Sequence, residues 1–292
     1  MNKIDLHIHS SYSDDGEFTP YEILQLSKKR GMKTIAITDH NSVQGVVEAV
    51  EYSEGLDIDV IPGIEIDCTY NGVNLHLLGY YIDYTLKDFE ELNRSIFRKS
   101  MDAFPRMITN LKKIGVEVEE EEVLRKAKGK VPSGELIGEV ILSKGNSKNN
   151  RILKPYLKGG KRSDMPYLNF YWDFFAQGKI AHVPIQYISL EEAIDLIKRS
   201  GGVPVIAHPG MNLKGNIEML KYIIKEGVEG IEIFNNYHTE DQIDHLYKKA
   251  KEHGLLITCG SDFHGKNKPG IEIGMHNCVI DGIQLIDAFK KC

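Results

Sequence analysis

Short apolar runs alternate with amphipathic stretches along the first part of the chain. Apolar runs at residues 4–6 and 34–38 predict strands, and helical periodicity over residues 21–30 predicts a helix between them. Thr19 followed by Pro20 is typical of a helix start, because threonine can cap free amides and proline fits the first turn. The alternation continues with a helix at 43–54 and strands at 59–66 and 75–80. Strands alternating with helices of about ten residues indicate parallel βα units.

The middle of the chain has a different pattern. Residues 87 to about 128 are charged and have helical periodicity without a strand pattern, and a further helix is predicted over 131–142. An aromatic cluster follows that contains the only tryptophan: Tyr167, Phe170, Tyr171, Trp172, Phe174 and Phe175. We interpret this cluster as the core of a helical insertion; the alternative is a surface on which nucleic-acid bases stack.

Strands and helices alternate again from Ser189, which can cap a helix over 190–200. Later strands are predicted over residues 203–206, 231–233 and 255–258. Neither end of the chain alone has enough strands to close a barrel. The predicted fold is therefore one α/β barrel formed by residues 1–86 and 185–292, interrupted by a mainly helical insertion over 87–184.

Composition and charge narrow the classes of protein. The 292 residues are 41% hydrophobic and 27% charged, and no apolar run approaches the roughly 20 residues that span a membrane. The N-terminus lacks a signal-peptide pattern, so we expect a cytoplasmic protein. The four cysteines form no CxxC pair, which predicts reduced thiols and neither a disulfide scaffold nor a thiolate zinc site. A net charge of −6 disfavours a broad basic face for long nucleic acid. A small anionic partner would have to be bound by a metal or a few placed cations.

Histidines and carboxylates occur at or near the ends of the predicted strands. The candidates are His7, His9, Asp14, His40, Glu65, His76, His208, Asp262 and His264. The C-terminal ends of parallel barrel strands share one face, so residues more than 250 positions apart are expected to meet. Imidazoles and carboxylates without thiolates suit Zn, Mn or Fe. The nine candidate ligands are too many for one tetrahedral ion. Each residue alone also has an ordinary structural explanation, but together they predict two or three metal ions with Glu65 bridging.

Successive motifs containing these residues resemble those of the PHP (polymerase and histidinol phosphatase) family. The motifs are Asp5-Leu6-His7-Ile8-His9-Ser10, Ser13-Asp14-Asp15-Gly16, Ile37-Thr38-Asp39-His40-Asn41, Pro62-Gly63-Ile64-Glu65, Leu75-His76-Leu77-Leu78-Gly79, Ala207-His208-Pro209-Gly210 and Gly260-Ser261-Asp262-Phe263-His264. The match covers roughly two thirds of the chain. Within the family the sequence is most similar to stand-alone phosphoesterases that act on nucleoside 3',5'-bisphosphates or short RNA 5' ends. Histidinol-phosphate phosphatases lack an element of the Ser-Asp-Asp-Gly type after the first two histidines, so the chain resembles that branch of the family less.

The resemblance implies a distorted (β/α)7, TIM-like barrel whose helical insertion overhangs the active site. It also implies a trinuclear metal centre held by the nine candidates above, with Asp15 as the alternative to Asp14. Asp39 would orient an imidazole from outside the set of ligands.

The resemblance also suggests residues that bind substrate. Lys179 stands in a Gly-Lys element that resembles one whose lysine holds a phosphate; the alternative is a solvated loop lysine. His238 matches a position where relatives place a histidine near the substrate; the alternative is a helix-capping or surface role. Two arginines of the nucleotide-bisphosphate relatives are missing, since Met211 and Ser133-Gly134-Glu135 stand at their positions. Arg162 is our main candidate for a replacement, with Arg151 and Lys161 as alternatives.

The predicted protein is a metal-dependent phosphatase or phosphodiesterase with Mn, Fe or Zn. A metal-bridging hydroxide would attack phosphorus in a 3',5'-bisphosphate-like nucleotide, a short oligonucleotide or another small phosphate ester. Asp262 would relay a proton, and His208 or His238 would protonate the leaving group. The alternatives are a non-catalytic metal- or nucleotide-binding module, a histidinol-phosphate-type phosphatase, or hydrolysis of a C–N or C–O bond by the same hydroxide.

Overall fold

The computed structural model describes residues 3–144 and 148–290. Cys292, one of the four cysteines, and residues 145–147 lie outside this part of the chain. The described residues form two compact units. The first contains residues up to Leu92, Tyr187–Phe263 and the chain from Ile271 onward; the second contains Asn93–Gln186 and His264–Gly270.

A single sheet forms the centre of the first unit. Its strands are β1 (Ile4–Ile8), β2 (Thr34–Ile37), β3 (Asp59–Tyr70), β4 (Val73–Tyr80), β5 (Ile188–Ser189), β6 (Val203–Ile206), β7 (Gly230–Phe234) and β8 (Leu256–Cys259). Seven strands follow the order β1-β2-β3-β4-β6-β7-β8, and the short β5 pairs with β3. Beyond the end of β8, Asp262 N donates to His7 O at 2.8 Å and His9 N donates to Phe263 O at 3.0 Å. The sheet is therefore a nearly closed barrel.

Helices of the first unit follow most of the predicted amphipathic stretches. They are α1 (Pro20–Lys29), α2 (Gln44–Ser53), α7 (Leu190–Arg199), α8 (Pro209–Asn212), α9 (Leu220–Glu226), α10 (Glu240–His253) and α11 (Gly282–Phe289). Thr19 caps α1, and Ser189 caps α7, each in a reciprocal capping box with a glutamate three residues later. Local sequence thus determines where these helices start.

The strand pattern was predicted correctly in position but wrongly in direction at one place. The segments 59–62 and 63–66 form one strand, β3, and β4 returns antiparallel to it and lies antiparallel to β6 as well. Asn71 and Gly72 join β3 to β4, and both have positive φ angles, 49° and 77°. An Asn-Gly pair favours this tight hairpin turn, because both residues tolerate the left-handed region.

The second unit is helical, as expected for the insertion. It contains most of α3 (Lys87–Lys113), then α4 (Glu120–Ala127), α5 (Gly134–Ser143) and α6 (Pro166–Phe174). Phe170 and Phe175 of the aromatic cluster are buried in its core with Phe104 and Val140, and Tyr171 and Phe174 pack against them. These rings belong to a hydrophobic core. No helix among the described residues is long and apolar enough to span a bilayer.

Candidate metal centre

Four side-chain atoms from β1, β3 and the loop after β8 converge in the first unit. Glu65 Oε2 lies 3.2 Å from His7 Nε2 and 3.1 Å from His9 Nε2. Asp262 Oδ1 lies 3.5 Å and 3.3 Å from the same two nitrogens, which are 3.1 Å apart. All four side chains are at most 2% exposed. This is the most densely packed group of the predicted ligands.

Close packing at the end of β8 positions His7 and Asp262. Residues 7 and 9 project from the same face of β1, since side chains alternate along a strand. A Cβ on Gly260 would lie 2.2 Å from the Cβ of His7, so only glycine fits there. Asp262 has a φ of 57°, a backbone region that costs a non-glycine residue about 1–3 kcal/mol. Strain of this kind is common at functional sites.

Glu65 reaches the centre because β3 is much longer than its neighbour. β2 ends at Ile37, opposite Pro62, and β3 continues for eight more residues. Glu65 N then donates to Asp39 O at 3.1 Å. Glu65 and His76 lie within strands, as the sequence predicted for both, and β3 extends past the end of β2 and brings them to the other ligands.

A neighbouring group is formed by His40, Asp67 and His76. Asp67 Oδ1 lies 3.2 Å from His40 Nδ1 and 3.4 Å from His76 Nε2, and Glu65 Oε1 lies 3.1 Å from His76 Nδ1. Asn41 orients Asp67 by donating to Oδ2 at 2.8 Å and accepting from the Asp67 backbone N–H at 3.0 Å. Sequence analysis missed Asp67, although Glu65 and Asp67 are two residues apart and so share a strand face.

His208 completes this set from the end of β6. Its Nε2 lies 3.1 Å from Glu65 Oε1, its ring stacks on His7, and its φ of 25° is again in the left-handed region. Its Nδ1 is buried and has no hydrogen-bond partner among the described residues. Burial lowers the pKa of His208, which favours a neutral ring with a lone pair available to a metal ion.

Glu232 was not predicted, yet it fixes two of the ligands. Its Oε1 lies 2.8 Å from His7 Nδ1, and its Oε2 accepts the His208 backbone N–H at 2.9 Å. A proton on His7 Nδ1 leaves Nε2 as a lone-pair donor, the arrangement in which carboxylates orient metal-binding histidines. The signal in the sequence was a glutamate between two isoleucines of the buried strand β7.

Tyr237 also escaped prediction. Its hydroxyl donates to Asp262 Oδ2 at 2.5 Å and so turns Oδ1 toward His7 and His9. Burial and the Asp262 carboxylate hold the pKa of Tyr237 well above its usual range, so the hydroxyl stays protonated and remains a donor.

The Ser-Asp-Asp-Gly loop places both of its aspartates near the histidines. Asp15 Oδ2 lies 3.9 Å from His40 Nε2, and Asp15, His9 and His40 each offer an atom within 4.8 Å of the others. Asp14 is half-buried, and burial together with Asp15 raises its pKa to about 7. Asp15, the alternative ligand, is the one whose carboxylate meets His40. Asp39 accepts from the backbone N and hydroxyl of Ser10, and thereby holds the turn after His9.

The other predicted site residues have different surroundings. His264 is buried and belongs to the second unit. Lys179 is exposed, and Arg162 makes a two-pronged ion pair with Asp173, at 3.0 and 2.9 Å. His238 is buried; its Nδ1 lies 2.8 Å from Ile233 O, and its Nε2 accepts from Gly210 N at 2.9 Å. His238 therefore joins the backbone of β7, at Ile233, to the His-Pro-Gly turn, at Gly210.

The donor set fits divalent metal ions. Burial alone would raise the pKa of Glu65, but His7, His76 and His40 hold it well below its usual range. Burial alone would lower the pKa of His7, but Glu232, Glu65 and Asp262 hold this pKa well above its usual range. The buried carboxylates thus need positive charge beside them, and metal ions would supply it in place of protons. His/carboxylate sets without thiolates match Zn, Mn or Fe.

Comparison with known proteins assigns the chain to a family. The PHP domain matches residues 5–233, and the chain belongs to the PHP domain family. It is 28% identical over 277 residues to the 3',5'-nucleoside bisphosphate phosphatase of Chromobacterium violaceum, covering 94% of this chain and 91% of that protein. It is 29% identical over 276 residues to the 5'-3' exoribonuclease Rnm of Escherichia coli, covering 92% and 87%.

A solved structure from Bifidobacterium adolescentis, named as a metal-dependent phosphoesterase, has a similar fold. The TM-score is 0.79 at 25% identity, over 99% of this chain and 96% of that one. The predicted family and barrel class are confirmed. The prediction of a metal-dependent hydrolase that acts on phosphate esters is confirmed as well.

Proposed function

We propose that the protein hydrolyses a small phosphorylated substrate, either a nucleotide of the 3',5'-bisphosphate type or a short oligonucleotide, with two or three divalent ions. The observation that carries this proposal is the convergence of His7 Nε2, His9 Nε2, Glu65 Oε2 and Asp262 Oδ1. The names of the Chromobacterium violaceum and Escherichia coli relatives support the nucleotide class. The net charge of −6 favours a short substrate, because a long one needs a wide basic surface.

The mechanism depends on how this chain holds ions and moves protons. Bound ions would supply a hydroxide nucleophile near neutral pH and neutralise charge on the phosphoryl oxygens. Glu232 keeps the His7 Nε2 lone pair available, and Tyr237 holds Asp262 so that Oδ1 faces the centre. Asp262 would accept the proton of the attacking water at that oxygen. Water would protonate the leaving group, because the neutral His208 ring offers its lone pair to a metal ion.

Substrate contacts are proposed with the roles that their surroundings allow. Lys179 stays a proposed phosphate contact because its side chain is exposed, whereas Arg162 would first have to release Asp173. We assign His238 to positioning, because its Nε2 bonds the backbone of Gly210 and its Nδ1 that of Ile233 in β7. At the positions of the two missing arginines, Glu135 is buried in α5 and Met211 is uncharged, so neither residue can bind a phosphate. We therefore assign most of the anion binding to the metal ions.

The test combines metal analysis with a substrate panel. We expect two or three ions per chain, and phosphate release in added Mn from at least one phosphomonoester, bisphosphate or short 5'-phosphorylated oligonucleotide. Asp262→Asn should lower kcat by about a hundred- to a thousandfold, the size seen when one group that stabilises transition-state charge is removed. The matched control Asp244→Asn, on the exposed side of α10, should leave kcat unchanged. Bound ions without hydrolysis would indicate the non-catalytic module, and no bound ions would overturn the proposal.

A further inference from the structure

A second group of metal-binding side chains lies in the first unit and shares no residue with the centre above. Cys259 is the last residue of β8 and is buried, whereas His276 and Cys278 are half-buried residues before α11. One ligand atom from each of the three lies within 4.8 Å of the other two. The donor set of two sulfurs and one imidazole differs from the thiolate-free centre.

His276 is already oriented as a ligand would be. Its Nε2 lies 2.8 Å from the carbonyl oxygen of Ile4, which can only accept, so Nε2 carries the proton. Nδ1 therefore keeps the lone pair, and it accepts a weak hydrogen bond from Cys278 N at 3.3 Å. A backbone carbonyl that fixes the tautomer of a histidine is a common outer contact of metal-binding imidazoles.

The two sulfurs lie at a separation that suits a metal ion. In a tetrahedral zinc site with Zn–S bonds of about 2.3 Å, two sulfurs are about 3.8 Å apart, and these atoms lie within 4.8 Å. The hydrogen bond with Cys278 and burial hold the pKa of the Cys259 thiol well above its usual range. The Cys259 thiol is thus protonated without an ion, and binding would release its proton to solvent.

We propose that Cys259, His276 and Cys278 bind one thiophilic divalent ion of the zinc class, through two thiolates and Nδ1. Soft thiolates favour zinc over the hard ions that carboxylates select. Three protein ligands leave a fourth position for water or another donor. The ion would join the end of β8, three residues before Asp262, to the segment that precedes α11.

Cobalt(II) is the probe that separates this site from the other. Thiolate ligation gives Co²⁺ an intense near-ultraviolet charge-transfer band, which a His/carboxylate centre cannot produce. We expect titration of the full-length, metal-free, reduced protein to produce this band with the intensity of one thiolate-bound Co²⁺ per chain, in addition to the Co²⁺ that the His/carboxylate centre binds, and added Zn²⁺ to abolish it.

Variants assign the band to the site. Cys259→Ser and Cys278→Ser should each remove most of it, and His276→Gln should weaken Co²⁺ binding at least tenfold. Cys68→Ala and Cys292→Ser, which remove the other two thiols, should leave it intact. The wild-type titration needs no variant to fold: absence of the band with all four thiols reduced overturns the proposal. Persistence of the band in both serine variants, or two thiols lost to a Cys259–Cys278 disulfide in the protein as isolated, would also overturn it.

Discussion

Glu65 in the candidate metal centre and Phe170 in the core of the second unit are both fully buried, but their surroundings differ in chemistry. Glu65 is 1% exposed among five histidines, and Phe170 is 0% exposed among aliphatic and aromatic side chains. Burying Phe170 is favourable by itself, since apolar surface leaves water. Burying Glu65 is unfavourable unless cations accompany it. The difference shows that the centre is maintained for chemistry, whereas the core of the second unit is maintained for stability.

The sharpest test of this contrast is Glu65→Gln. The change is nearly isosteric, but it removes the charge that faces His7, His9, His40, His76 and His208. We expect loss of at least one ion per chain and a fall in kcat of about a thousandfold, near the upper end for removal of one electrostatic contact. Elemental analysis and phosphate-release kinetics measure the two effects. Glu191→Gln, an exposed match on α7, should change neither. Full metal content in the Glu65 variant would contradict the assignment of Glu65 as the bridging ligand.

Phe170→Ala tests the other side of the comparison. Removing a fully buried phenyl ring should lower the free energy of unfolding by about 3–5 kcal/mol, through lost burial and a residual cavity. Urea denaturation gives this value, and hydrogen exchange should rise in α5 and α6. The exposed Tyr222→Ala should change stability by no more than about 0.5 kcal/mol. If the metal content of the Phe170 variant falls while it remains folded, the two regions are not independent.

Glu232→Gln should have the smallest effect of the three. The carboxylate touches His7 Nδ1 and His208 N and is an outer contact, so metal affinity or activity should fall about ten- to a hundredfold. Raising the metal concentration should restore much of the activity, which Glu65→Gln would not allow. The control is Glu240→Gln at the exposed start of α10. Metal affinity equal to wild type would show that Glu232 does not set the His7 tautomer.

Much of the fold was accessible from local patterns. Helix starts at Thr19 and Ser189 follow from capping residues, and the positions of the strands follow from short apolar runs. The direction of β4 was missed because parallel units were assumed throughout, although Asn71-Gly72 indicated a hairpin. Where the insertion begins and ends remains a prediction; the structure changes unit between Leu92 and Asn93, and between Gln186 and Tyr187.

Some residues of the candidate centre could likewise be predicted from local patterns, and others could not. His7, His9, His208 and Asp262 were found because they stand at or just after strand ends and match a family's motifs. Glu232 and Tyr237 were missed because each acts through a residue distant in sequence: His7 is 225 positions from Glu232, and Tyr237 is 25 positions from Asp262. Such pairs meet because of the register between strands, and a local sequence pattern does not specify that register.

The sequence by itself determined the elements, the family and the inventory of imidazoles and carboxylates. These depend on periodicity, capping and motif order, which act over a few residues. Only the tertiary structure decided which donors face one another, that Asp15 meets His40, and that both nitrogens of His238 bond the backbone. Likewise, only the tertiary structure brings Cys259, His276 and Cys278 together, because they are not recognisable as a group in the sequence. The physical reason is that ligand geometry is set by how β1, β3, β7 and β8 pack, and by the close approach that Gly260 permits at His7.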